Sequence, residues 1–402
     1  MSFFKVSWLL SYISIASFSA AIITPALPEI QQQYALLQGQ VEWIVSAFLV
    51  GYVIGQLIYG PLANRFGRII ALRTGLVINL FGIFICITGL YFHSYPILII
   101  GRLISALGAA SGLACTFMLI NEWLPAEHRR SAMAYSILSF TLGIGLAVVL
   151  GGMITEYSHW DNCFVLLLVH GLLMLYGTRV FSETLIAPQA INLGSIIRGY
   201  KAVLSSGSLL TYSLVVGLCS SISYCFSAAG PQIAMELFHL SPAEYGYWNA
   251  FNMLGMLAGG LLAKVLLQRF SADKVIALGL AGTALGLSGV ILMAYSGNDS
   301  ALWFFTSTLL MYLFSGLLFA GGSYIASNAV NDKASGAAMM SFLNMITATF
   351  TVVLMGFIGS TPFLSFITIL AGLWLFVFVV LCVRRVLGII YNNQHLMKIQ
   401  ID

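Results

Sequence analysis

Gly60-Pro61-Leu62-Ala63-Asn64-Arg65-Phe66-Gly67-Arg68 is a short basic, glycine-bounded run wedged between two long apolar stretches, 42–61 and 70–91. Reading outward from it, the cationic residues recur with a strict rhythm. Sixteen of the 17 lysines and arginines fall at one end of the apolar stretches or in alternate gaps between them: Lys5; Arg65, Arg68 and Arg73; Arg129 and Arg130; Arg179, Arg198 and Lys201; Lys264, Arg269 and Lys274; Lys333; Arg384, Arg385 and Lys398. The other gaps carry Glu29, Glu42, Glu156, Asp161, Glu236, Glu244 and Asp299, with no lysine or arginine among them. Such alternation is the signature of a polytopic membrane protein whose basic loops stay in the cytoplasm.

Composition agrees. The chain has 402 residues, 60% hydrophobic and only 7% charged, against about 25% charged in soluble domains. Its net charge of +4 resides in the basic gaps and reports topology, which sets nucleic-acid binding aside. Six cysteines lie within or beside apolar segments without metal-ligand or pairing spacing, and read as small buried apolar residues.

At about 20 apolar residues per crossing, six segments precede the polar stretch around residue 190: 6–27, 42–61, 70–91, 96–120, 132–154 and 162–182. Six follow it: 209–234, 245–266, 274–295, 302–328, 336–357 and 364–386. The expected fold is an all-α membrane protein of twelve transmembrane helices in two six-helix bundles. The expected divisions are 1–186 for the first bundle, 187–207 for a cytoplasmic linker, 208–390 for the second bundle and 391–402 for a cytoplasmic tail. An even number of crossings puts both termini in the cytoplasm. Gly260, Leu262, Lys264 and Arg269 echo Gly60, Leu62, Arg65 and Arg68, so the halves read as a repeat, the arrangement in which transporters build a midplane site.

The run Gly60 to Arg68 resembles the loop signature of the major facilitator superfamily. Its neighbours agree: Pro25-Ala26-Leu27-Pro28, Gly51 to Pro61, Arg102 ahead of Gly108-Ala109-Ala110, the glycines Gly143, Gly145, Gly151 and Gly152, and Ser182-Glu183-Thr184-Leu185. Together they are similar to the twelve-helix drug:proton antiporter branch, above all the bicyclomycin and chloramphenicol resistance exporters. That resemblance implies a monomeric secondary transporter in the bacterial inner membrane, moving a small molecule by alternating access. Protons are a possible coupled partner and no cofactor is implied. It also implies a cytoplasmic gate of Gly60, Asn64, Arg65, Gly67, Arg68 and Glu122, in which Arg68 pairs with Glu122 while the outward-facing state is locked. Three departures stand out. Asn64 replaces the usual aspartate, Ala21 stands where close relatives carry a membrane-embedded aspartate, and Leu146 follows Gly145 where a proline is usual.

The polar residues inside the apolar segments are the remaining site candidates. Arg102 is a cation where a central arginine costs roughly 2.5 to 3.5 kcal/mol; it is expected either to face the cavity and hold an anion or to bond backbone carbonyls. Gln56, Asn249, Asn252, Asn328 and Asn344 are expected to point inward, since an amide in lipid is costly without a partner. Tyr52, Tyr135, Tyr224 and Trp248 are candidates for aromatic walls. His170 and Glu29 are the proton-site candidates, His170 because it titrates near neutrality. Two transport readings follow: proton-linked efflux of a drug or metabolite, and movement, import included, of an anionic metabolite or carboxylate-type siderophore, centred on Arg102. A phosphate-binding glycine loop is missing, as are converging nucleophiles, paired carboxylates or metal ligands within the apolar segments. An ATP-driven pump or a membrane enzyme or receptor is therefore disfavoured.

Overall fold

The structure, a computed structural model, describes residues 3–399 apart from 38, 125, 186–187, 189–193, 195–200, 202–203, 331–332 and 359–360. Side chains at 3–4, 126–138, 333–335, 337 and 387–399 also lie outside the description. Twelve helices are long and apolar enough to cross a membrane. In chain order they are α1 (Lys5–Gln33), α2 (Trp43–Phe66), α3 (Arg68–Tyr91), α4 (Tyr95–Trp123), α5 (Ala126–Tyr157), α6 (Asn162–Val180), α7 (Gly207–Phe238), α8 (Pro242–Arg269), α9 (Ala272–Ser296), α10 (Ala301–Ser327), α11 (Lys333–Phe357) and α12 (Pro362–Ile399). The linker expected over 187–207 falls largely outside the described residues; the backbone of α12 stays helical to Ile399, through most of the stretch expected to be a tail.

The helices run longer than apolarity alone suggests, and their ends are set by local chemistry. The first does not stop at residue 27: Pro25 and Pro28 each sit at the start of a new helical turn, where a missing N–H costs nothing, so the span bends and continues to Gln33. Pro61 is absorbed inside α2, which runs to Phe66. In the second half, serines cap the helices. Ser206 and Ser300 accept from the N–H of Leu209 and Trp303, and Ser241 forms a reciprocal box with Glu244 at the head of α8.

Packing repeats between the halves. Helix α4 sits against α2 and α3 as α10 sits against α8 and α9, and α1 packs on α5 as α7 packs on α11. Of the pairs that join the halves, the two most extensive are α5 with α8 and α2 with α11. Adding six to each number turns one of these pairs into the other, which is the sign of a pseudo-twofold relation. Large side chains such as Phe81, Phe84, Leu172, Leu285, Leu292 and Phe376 are exposed around the outside. With no hydrophobic drive in lipid, small residues bring the helices together. Gly152, for instance, lies so near α8 that a Cβ would stand 3.1 Å from the carbonyl carbon of Pro242.

Candidate functional site

Polar chemistry gathers in three layers, at the basic end, in the middle and at the acidic end.

At the basic end, the loop from α2 to α3 is fixed by two carboxylates from elsewhere in the first half. Arg68 donates from Nε and Nη2 to Glu122 Oε1 at 2.9 and 2.7 Å, and from Nη1 to the Ala63 carbonyl at 2.8 Å. Thr184 donates its hydroxyl to the other Glu122 oxygen. Glu183 accepts from the N–H groups of Arg68 and Ile69 at 2.8 and 3.0 Å, closing the open amino end of α3. Partial burial pushes the Glu183 carboxyl up, but hydrogen bonds from the Arg68, Leu185, Thr184 and Ile69 amides outweigh it and hold the group below the usual carboxylate range. Gly67 has φ +114°, and a Cβ there would stand 2.7 Å from the Glu183 carboxyl carbon. Only glycine meets both demands. Gly60 has little around it, a Cβ reaching only the Met118 methyl at 4.0 Å, while Asn64 is half-buried and Arg65 exposed.

Of the expected gate, Arg68 and Glu122 pair and Gly67 lies against Glu183, while Gly60, Asn64 and Arg65 make no hydrogen bond outside their own helix among those described. Arg68, Glu122 and Glu183 all belong to the first half, so the pair braces a loop and does not bridge the halves. It is formed in a structure closed at the opposite end.

In the middle, Arg102 is fully buried. Its Nη1 donates to the Ser19 carbonyl at 2.8 Å, while Nε lies 3.4 Å from the Ile44 carbonyl and Nη2 3.5 Å from that of Ala20. Its guanidinium carbon lies 4.4 Å from the Phe48 ring centroid. The carbonyl-bonding alternative describes this geometry. The guanidinium does not open onto a cavity here and ties α4 to α1 and α2.

The amides divide similarly. Asn249 and Asn252 are buried and bond each other at 3.5 Å, and the Thr308 hydroxyl donates to Asn252 at 3.0 Å, so they link α8 to α10. Asn344 is buried, and its side-chain oxygen has no partner among the described residues. Gln56 lies one turn along α2 from Tyr52 and close to its hydroxyl. The hydroxyls of Tyr52 and Tyr224 lie within electrostatic range of each other across the seam. Asn328 does not point inward; it caps the end of α10 in an exposed position, bonding the Tyr324 carbonyl at 2.7 Å. Trp248 stacks on Phe305 at 5.0 Å, part of the aromatic packing of the second half. The Tyr135 side chain lies outside the described residues. His170 packs its ring on Phe18 at 5.0 Å, and Glu29 is half-buried near the acidic end of α1.

At the acidic end the halves are joined directly. Gln232 of α7 donates to Gln31 of α1 at 2.9 Å. Glu156 of α5 accepts from the Ser241 hydroxyl at 2.6 Å and the Ala243 N–H at 2.9 Å, placing a carboxylate at the positive end of the α8 dipole. Trp43 meets Phe357 edge to face at 6.2 Å. Beside them Glu42 is 3% exposed, its Oε2 against Gly356 of α11 and without a hydrogen-bond partner among the described residues. Every hydrogen bond described between the halves lies at this end. Sequence reasoning treated Glu42 and Glu156 as markers of topology only and passed over Gln31 and Gln232. The one local signal was a carboxylate directly before the first residue of an apolar span.

Comparison with known proteins gives these features a frame. The family described as Major Facilitator Superfamily matches residues 9–226 and 212–389. The chain is 24% identical over 342 residues to the multidrug transporter MdfA of Shigella boydii, covering 82% of this chain and 80% of that protein. It is 21% identical over 294 residues to a bicyclomycin resistance protein homolog of Haemophilus influenzae, covering 71% of each. Matches to curated relatives span between 60% and 80% of those relatives' lengths. Among solved structures, a D-xylose-proton symporter superposes with TM-score 0.73 at 16% identity, over 94% of this chain and 97% of the other.

Proposed function

This chain belongs to the Major Facilitator Superfamily, and from that premise we propose that it is an exporter of small organic molecules driven by inward proton flow. It would sit in the bacterial inner membrane with its basic end and both termini in the cytoplasm. The observation that carries the reading is the one-sided seam. The contacts of Gln31 with Gln232 and of Glu156 with Ser241 and Ala243 shut the acidic end, while the gate pair at the basic end stays within one half. Among the described residues the hydrogen bonds between the halves all lie at the acidic end, the posture in which an exporter would take up cargo from the cytoplasm. In an exporter cycle the acidic-end contacts break, the halves rock, and cargo leaves to the outside. The similarity to multidrug and bicyclomycin-resistance proteins supports the outward direction.

Cargo would enter between Tyr52 and Gln56 of α2, Tyr224 of α7 and Asn344 of α11, a neutral, aromatic and amide surface suited to a moderately apolar molecule. The fixed guanidinium of Arg102 is engaged by carbonyls, so nothing in this surface favours an anion over a neutral or cationic cargo. In inside-out vesicles bearing the protein, an imposed acidic lumen is expected to drive accumulation of a fluorescent apolar dye, and an uncoupler to abolish it. Accumulation that ignores the uncoupler rules out proton drive; no accumulation of any dye rules out export of this class.

A further inference from the structure

We infer that Glu42 is a proton-binding latch: closing the acidic end of the seam takes one proton from the medium on that side, and opening it gives the proton back. The inference rests on the proposed alternating-access reading and concerns a second proton: this one returns to the side it came from, so Glu42 sets the closing equilibrium of that end and does not carry the proton that drives export.

The placement carries it. Glu42 precedes the first residue of α2, on the helix pair α2–α11 that joins the halves. With the seam closed it is 3% exposed and its Oε2 meets no donor among the described residues. From the other half, Gly356 of α11 lies against it, a Cβ there standing 3.0 Å from Oε2, and the Cys225 thiol of α7 is within electrostatic range. From its own half, α4 brings Tyr95, whose hydroxyl is already given to the Gln40 carbonyl at 2.5 Å. The titratable groups around it are therefore a phenol and a thiol, both neutral at physiological pH. The nearby cation, Arg102, is engaged with the carbonyls of Ser19, Ala20 and Ile44. An ionised carboxylate left there without a donor is costly; a protonated one is tolerated. When α11 withdraws, water reaches Glu42 and the charged form is restored. On closure an O–H bond forms on the carboxylate with a proton from solvent, and on opening it breaks; no other bond changes.

Burial holds the Glu42 carboxyl up from the ordinary 4.5 to about 7 in the closed form. The closed form thus binds more protons than the open one between those values. Raising the pH through that window disfavours closure, by about tenfold per pH unit at most.

The test uses spin labels at Leu37→Cys and Leu302→Cys, exposed acidic-end positions in the two halves, in a Cys382→Ser background, with distances measured in lipid nanodiscs and no cargo present. In the parent protein the short-distance population is expected to grow as pH falls from about 7 toward about 4.5. E42Q, neutral and the same size, is expected to stay closed at every pH. A pH response that survives E42Q, or none in the parent, overturns the inference. Should E42Q not fold, labelling of the parent protein by dicyclohexylcarbodiimide, which attacks protonated carboxyls in apolar surroundings, decides the matter by mass spectrometry. Modification of Glu42 half-maximal near pH 7 supports the latch, and modification confined to pH below about 5 sinks it. A normal distance response with no dye export would fail the proposed function alone, whereas export with a flat distance response would fail this inference alone.

Discussion

Gly67 and Arg102 show how far single residues in this chain are committed to geometry. At Gly67 a side chain meets two obstacles, a φ of +114° and the Glu183 carboxylate packed where Cβ would go. Gly67→Ala is expected to cost about 1–3 kcal/mol from the backbone alone, seen as a lower unfolding temperature in detergent, and to detach Glu183 from the head of α3. Glu122→Gln leaves the shape but removes the charge that receives Arg68. That pair is partly exposed, with side-chain accessibilities of 13% and 32%, so its loss is expected to cost no more than about 1 kcal/mol while slowing dye export, because the loop between α2 and α3 loses its brace. An unchanged export rate in Glu122→Gln would remove the pair from the gate. Arg102 poses a different balance. Its charge is costly in the membrane interior, and its planar fork is what spreads that charge over the carbonyls of three residues on two helices. Arg102→Lys keeps the charge and loses the fork; Arg102→Met loses both. The expected order of thermal stability is therefore parent, then Met, then Lys. Export of a neutral dye by the Met variant would agree with a role in holding helices together, whereas full stability with complete loss of export would return Arg102 to the cargo path.

At the scale of elements, the seam is made by helix faces that only small residues let approach. Gly152 lets α5 lie on the first turn of α8; a methyl at that position would stand 3.1 Å from the Pro242 carbonyl carbon and 3.2 Å from the Ala243 Cα. Both are backbone atoms, so the helix itself must shift. Gly152→Ala is accordingly expected to pry the acidic end apart and raise the reactivity of a cysteine placed at Gln31 toward a water-soluble maleimide several-fold. Equal reactivity in both proteins would mean that α8 absorbs the methyl without moving. This level also explains what was readable beforehand. The crossing count and the basic-loop rhythm are properties of contiguous sequence, and so is the run Gly60 to Arg68, whose glycines, proline and arginines act within a few residues of one another. Helix ends were misjudged where proline sits at the start of a turn, because a proline in an apolar run looks like a terminator until the backbone around it is known. Glu42 was illegible for a different reason. Nothing in residues 38 to 46 says that Gly356 will cover it, and Gln31 meets Gln232 across 201 positions of chain. The direction of Arg102 was likewise open, since a guanidinium in an apolar helix serves a cavity or a carbonyl equally well until its neighbours are placed.

For the whole molecule, the pseudo-twofold arrangement makes a definite mechanical claim: two rigid halves turn about the middle of the seam, so a restraint at one end must prevent opening there while leaving each half intact. Gln31 and Gln232 are suited to impose it, being on α1 and α7, the first helices of their respective halves, with side chains already 2.9 Å apart. In a Cys382→Ser background, which removes the exposed cysteine among those described, Gln31→Cys and Gln232→Cys would be bridged with a short, reducible bifunctional reagent. The bridged protein is expected to lose dye export by at least an order of magnitude, to regain it on reduction, and to bind dye from the basic end throughout, as the proposed cargo route past Tyr52, Gln56, Tyr224 and Asn344 requires. Each single-cysteine variant treated with the same reagent should transport normally. If the bridged protein still exports, the acidic end need not part for transport, and the rocking of one half against the other is the wrong motion for this chain. If it neither exports nor binds, the restraint has distorted the middle of the molecule and the halves do not move as rigid units.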